Sequence, residues 1–246
     1  MRATTLRSLL PLALLTAAAA GLPAAACAAD RVTEVPTSIT AAGMTDIAAA
    51  SDGSLWITAQ NKGSLLSVRP DGQVAERPIT GLGRTASPRE LAGDAAGNLW
   101  STDPSGPLLI RSDKTGESVE FATGPAGRRP VDLATGQDGN VWFTTAAGSE
   151  IGRVTPGGDL TFSSVAVHAE RIVAGTGDTT AWFTSAEGQV GRVAPGGAAD
   201  TIATVSGDAT GIAQGTDGNV WVSTTQSLNR VTPSGAVTTF ADGLPA

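Results

Sequence analysis

Five tryptophans, at positions 56, 100, 142, 182 and 221, lie 44, 42, 40 and 39 residues apart. Each closes the same short pattern: SDGSLWIT from Ser51, AAGNLWST from Ala95, QDGNVWFT from Gln137, GDTTAWFT from Gly177 and TDGNVWVS from Thr216. This period constrains the fold more than any other feature. Each unit must be one supersecondary module that cannot bury its apolar face alone and stacks on the next copy.

Within a unit the residues spell four short strands. In the third they fall at Val131–Thr135, Asn140–Thr145, Ile151–Thr155 and Leu160–Ser164. β-branched and aromatic runs alternate with Asp-Gly-Asn, Ala-Gly and Pro-Gly-Gly turns. Pro70, Pro156, Pro195 and Pro233 occupy the turn between the third and fourth strands, where a missing N–H costs nothing. The units run from about Ala42 to Thr80, Gly81 to Thr123, Gly124 to Val165, Ala166 to Val205 and Ser206 to Ala241. Four-stranded antiparallel units at this period predict an all-β fold, a β-propeller of five blades, with the tryptophans as packing residues between blades. Ala48, Ala92, Ala134, Ala174 and Ala213 supply small residues to the crowded first strands. Arg31–Thr37 resembles a spare fourth strand, and Gly243–Ala246 resembles the start of a further unit.

The first 29 residues read as an export leader. Arg2 and Arg7 precede an apolar run from Leu9 to Ala20, too short to span a bilayer, and Ala26-Cys27-Ala28 offers a cleavage site. Cys27 offers a second outcome, lipid attachment, although Ala24 stands where such leaders usually carry Leu. Either outcome predicts an extracytoplasmic protein without a transmembrane segment in its mature chain, with residues 30–246 forming a single domain. The net charge is −7, and nothing gathers Lys or Arg on one face, which argues against a nucleic-acid partner. One Cys and one His exclude an internal disulfide and a Cys/His zinc site.

DGNVWFT followed by IGRVTP-G resembles the repeat of the streptogramin B lyase (virginiamycin B lyase) family, most strongly in the third unit. The resemblance implies a larger, seven-bladed ring and a carbon–oxygen lyase that opens cyclic depsipeptide antibiotics by elimination. It also implies Mg2+ or another divalent cation, a role in antibiotic resistance, a catalytic His in a P-H-x-I motif at the start of an inner strand, and an acid after the Trp motif as in WFTE.

Carried over by position, the inner strands start at the aliphatic residue nine before each Trp: Ile47, Leu91, Leu133, Val173 and Ile212. Two residues earlier stand Thr45, Arg89, Val131, Arg171 and Thr210, none of them His. Three residues after each Trp, only Asp103 is acidic. His168 lies in the loop before the fourth inner strand, so a surviving lyase would rely on His168 and Asp103. Thr45, Arg89, Arg171 and Thr210 instead become candidate ligand-binding residues. Asp46, Glu90 and Asp132, each immediately before an inner strand, become candidate ligands for a hard divalent cation. Arg153, Arg192 and Arg230 in the third strands read as structural. The residues thus favour a protein that binds a small molecule, a peptide or a cell-envelope ligand at the channel mouth, with the depsipeptide lyase as the alternative.

Overall fold

The computed structural model describes residues 42–176, 180–197 and 199–241. The leader, Cys27, the spare strand at Arg31–Thr37 and the segment Gly243–Ala246 lie outside the described residues. The chain divides into Met1–Pro36 and Thr37–Ala246, and all the described structure belongs to the second unit.

That unit contains five four-stranded antiparallel sheets, each with its strands in chain order. The third sheet comprises Pro130–Thr135, Val141–Thr145, Glu150–Val154 and Leu160–Ser164, within one residue of the sequence expectation at each end. The other first strands are Ile47–Ala49, Leu91–Gly93, Ala169–Ala174 and Ala209–Gln214. Successive first strands pack beside one another, which places them innermost in a propeller arrangement. The described residues add only two single-turn 3₁₀ segments, Gln60–Lys62 and Ala126–Arg128.

The Asp-Gly turns are hairpin devices. Asp52, Asp138 and Asp217 each accept from the backbone N–H two residues on, at 3.0–3.1 Å. The glycine between adopts φ near +80°, which only glycine takes up without strain.

The first four Trp pack forward onto the next blade. Trp56 and Leu65 meet Leu91, Leu99 and Ile110. Trp100 and Leu109 meet Leu133, Val141 and Phe143. Trp142 and Ile151 meet Ile172, Ala181 and Phe183, and Trp182 and Val190 meet Val220 and Val222. A blade therefore has a Trp face and an aliphatic face, and the fold joins unlike faces. Behind Trp100, Trp142 and Trp182, the paired third-strand residues Arg111, Arg153 and Arg192 lay their guanidinium groups 5.5–5.6 Å from the indole ring.

Volume is traded between the second and third strands. Where the second strand carries Phe143 or Phe183, its partner is Gly152 or Gly191. Where it carries Ile57, Ser101 or Val222, the partner is Leu66, Ile110 or Asn229. A Cβ on Gly152 would overlap the ring of fully buried Phe143. Gly152→Ala is therefore expected to lower stability by about 3 kcal/mol, whereas in a Phe143→Leu background the same change costs less than half as much. Urea denaturation of the four chains checks this.

Candidate functional site at the inner-strand mouth

The fourth blade departs from the frame set by its Trp. In the other blades five residues join the first strand to the second, and Ile47, Leu91, Leu133 and Ile212 face Ile57, Ser101, Phe143 and Val222. In the fourth the connection spans positions 175–180, one residue more, and Ile172 faces Phe183. The inner aliphatic residue there is thus Ile172, not Val173. Val173, not Ala174, lies opposite Trp182. The position immediately before the inner aliphatic residue therefore reads Asp46, Glu90, Asp132, Arg171 and Gly211. The position two before reads Thr45, Arg89, Val131, Glu170 and Thr210.

Apart from Val131 and Glu170, these two rows line a cavity of about 590 Å³. Thr45, Arg89, Arg171 and Thr210 all border it, as do Asp46, Glu90 and Asp132. In the first three blades the threonine two residues after Trp holds the rim in place. Thr58, Thr102 and Thr144 accept from the N–H of Asp46, Glu90 and Asp132 at 2.9, 3.2 and 3.1 Å. Thr58 and Thr144 donate onward to Arg89 O and Glu170 O on the following blade. Asp46 and Asp132 are thereby tied to two blades.

Two of the rim carboxylates are clasps. Asp46 accepts from its neighbour Ile47 N at 2.8 Å and from Leu91 N of the second blade at 2.6 Å. Asp132 accepts from Leu133 N and from Ile172 N of the fourth blade, both at 2.9 Å. Glu90 has a different environment, with Arg89 Nε 3.5 Å away. Burial, then the charges of Asp132 and Asp46, push its carboxyl above the usual range, with Arg171 and Arg89 opposing. Burial also raises Asp132, against the pull of the Ile172 N–H and Arg171. The three carboxylates converge on one mouth. Among the described residues, however, no group of three acidic, His or Cys side chains is placed to hold a metal ion. Asp46 and Asp132 each give both carboxylate oxygens to backbone N–H groups.

His168 is exposed and lies over Gly148, where a Cβ would overlap its imidazole ring. It borders a second cavity of about 240 Å³ that shares Arg89, Glu90 and Arg171 with the first and adds Glu170. Glu170 went unnoticed in the sequence because adjacent Ile172 and Val173 allow two frames. Asp103 is elsewhere. It is fully buried, accepts from Ser105 Oγ at 2.6 Å and Ser87 N at 3.1 Å, and pairs with Arg84 at 2.8 Å. Burial acts to raise its carboxyl, but the Ser105, Arg84 and Ser87 hydrogen bonds outweigh it and hold Asp103 below the usual range. Its counterparts Thr145 and Ser185 likewise bond into the turn that follows, at Glu150 O and Gln189 Oε1. In these three blades the residue three after Trp organises the following turn, and Asp103 does not border the central cavity.

The comparisons with known proteins follow this geometry. Residues 30–245 match the virginiamycin B lyase family. The chain belongs to that family. A virginiamycin B lyase from Nocardia farcinica (strain IFM 10152) is 31% identical over 112 residues, which cover 46% of this chain and 38% of the relative. A streptogramin B lyase structure superposes with a TM-score of 0.77 at 23% identity, covering 87% of this chain and 73% of that one. A catalytically inactive virginiamycin B lyase from Staphylococcus aureus with quinupristin gives 0.74 at 24% identity, covering 85% and 73%. At those identities the structures show the shared propeller fold.

An acid whose native value is raised destabilises the fold once pH exceeds that value, and the penalty is relieved as pH falls through it. Glu90→Gln is therefore expected to melt above the parent at pH 8, by roughly 1–4 °C, with the gap shrinking toward pH 5. Asp103→Asn should act in the opposite sense. It removes stability that is present above the unfolded-state value and lost as pH falls through the native one. Thermal melts of the three chains across pH check both signs.

Proposed function

We propose that this family member is a binding protein that takes a polar small molecule or peptide at the inner-strand mouth. The observation that carries the reading is the cavity of about 590 Å³ in which Arg89, Arg171 and Glu90 converge on a rim fixed by inter-blade hydrogen bonds. A preformed concave site with a few convergent polar groups suits a ligand of modest size. No imidazole borders this central cavity, and Asp103 is locked in a turn. Leader-like residues 1–29 support an extracytoplasmic setting, where cell-envelope peptides and antibiotics are the accessible ligands.

A second reading is favoured by His168. Its cavity shares Arg89, Glu90 and Arg171 with the central one, so a ligand spanning both would bring an imidazole base within reach of its ester. That would be an eliminating lyase acting on a cyclic depsipeptide, the class of molecule to which the family name and the quinupristin complex point.

Quinupristin is the probe that separates the two. Calorimetry on the purified chain should show binding that weakens at least tenfold in Arg89→Ala and Arg171→Ala, with melting temperatures held within about 2 °C. Mass analysis of the incubated ligand should show an intact ring. Linearisation that disappears in His168→Ala would establish the lyase instead. Absence of both binding and turnover would remove quinupristin as a ligand.

A further inference from the structure

Arg89, Glu90 and Arg171 border both the central cavity and the side cavity, so they form a charged ridge between the two. In blade 4 the strand pairing slips between Ala169 and Arg171, which makes Glu170 an extra residue against Ser185 and Thr184. A bulge of this kind re-aims the side chains around it. Glu170 borders only the side cavity, while Arg171 borders both.

The charges on this ridge are poorly matched by the protein itself. Asp46 and Asp132 have their oxygens on backbone N–H groups. The Glu90 carboxylate accepts no hydrogen bond among the described residues, and its ion pair with Arg89 Nε is 3.5 Å long. A charge-assisted bond is roughly 2.7–2.9 Å. Arg171 makes no guanidinium hydrogen bond or ion pair among the described residues, yet its charge acts on both Glu90 and Asp132. Arg84, Arg128 and Arg153 elsewhere each pair with an acid. A guanidinium fork without an acceptor suits a carboxylate, and a carboxylate without a donor suits a primary ammonium. The central cavity holds Asp46, Glu90 and Asp132 against Arg89 and Arg171. A lone anion meets the surplus acid there, and a lone cation leaves Arg171 unmatched. A ligand carrying both signs answers both groups and adds no net charge.

Resting on the reading that this mouth is a binding site, we propose that it recognises a zwitterion: an amino acid or short peptide with uncapped ends, its carboxylate on Arg171 and its ammonium on Glu90. A concave site of about 590 Å³ has room for a peptide of a few residues.

Alanine dipeptides separate the two charges, and calorimetry at about pH 7 keeps both peptide ends ionised. Alanyl-alanine is the zwitterion. N-acetyl-alanyl-alanine lacks the ammonium, and alanyl-alanine amide lacks the carboxylate. The parent chain should bind the zwitterion about tenfold more tightly than either capped form. In Glu90→Gln the acetylated and zwitterionic peptides should bind alike, while the amide stays weaker. In Arg171→Gln the amide and the zwitterion should bind alike, while the acetylated peptide stays weaker. Thermal melts establish that each variant is folded. A folded variant that loses all three peptides equally overturns the assignment. So does a parent that binds the three equally, prefers a capped form or binds none. Quinupristin on the same parent sample keeps the two readings apart. If quinupristin binds and the peptides show no such preference, the zwitterion is removed and the binding site stands. If neither quinupristin nor any peptide binds, both are removed.

Discussion

The structure depends on burying the Trp face of one blade in the aliphatic face of the next. A four-stranded sheet of this size has two apolar faces and no means of covering both. The indole fills one side of each interface, and Leu, Val or Ala at the start of the following second strand fills the other. Because the faces are unlike, the stacking has a direction and the blades must follow one another in sequence order. The Phe–Gly pairs show how tightly volume is set. An aromatic ring enters the interface only where its cross-strand partner gives up its side chain.

The mouth is a consequence of that stacking. Side-by-side inner strands bring equivalent backbone positions together, and each leaves N–H and C=O groups near the channel that need partners. Buried Thr58, Thr102 and Thr144 and the carboxylates of Asp46 and Asp132 meet that need. Acids on the rim are therefore divided by chemistry. Two are fasteners, while Glu90 has a raised carboxyl and faces the cavity beside Arg89. Arg171, at the equivalent position of the fourth blade, turns a row of acids into a mixed-charge rim suited to a ligand with polar groups of both signs.

Periodicity determined most of what the sequence by itself could determine. The 39–44 residue spacing, the Asp-Gly turns and the β-branched runs specified five four-stranded units and, in the third, the strand bounds, because turn chemistry and period-2 patterning act locally. The same locality placed Thr45, Asp46, Arg89, Glu90, Asp132, Arg171 and Thr210 at inner-strand starts that share one mouth. Tertiary structure alone decided the frame of the fourth blade. There Ile172 and Val173 are equally apolar, and only cross-strand pairing selects Ile172, moving Arg171 and Glu170 one register along. It also decided which carboxylates are occupied. A side chain's hydrogen-bond partners on the next blade lie about 40 residues away in the chain, beyond any local signal. Asp103 looked like a family acid in sequence, yet packing enclosed it in a turn with Arg84 and Ser105. Exposure of Ile47, Leu55 and Leu228 was equally invisible, since burial belongs to the neighbour a residue meets and not to the residue.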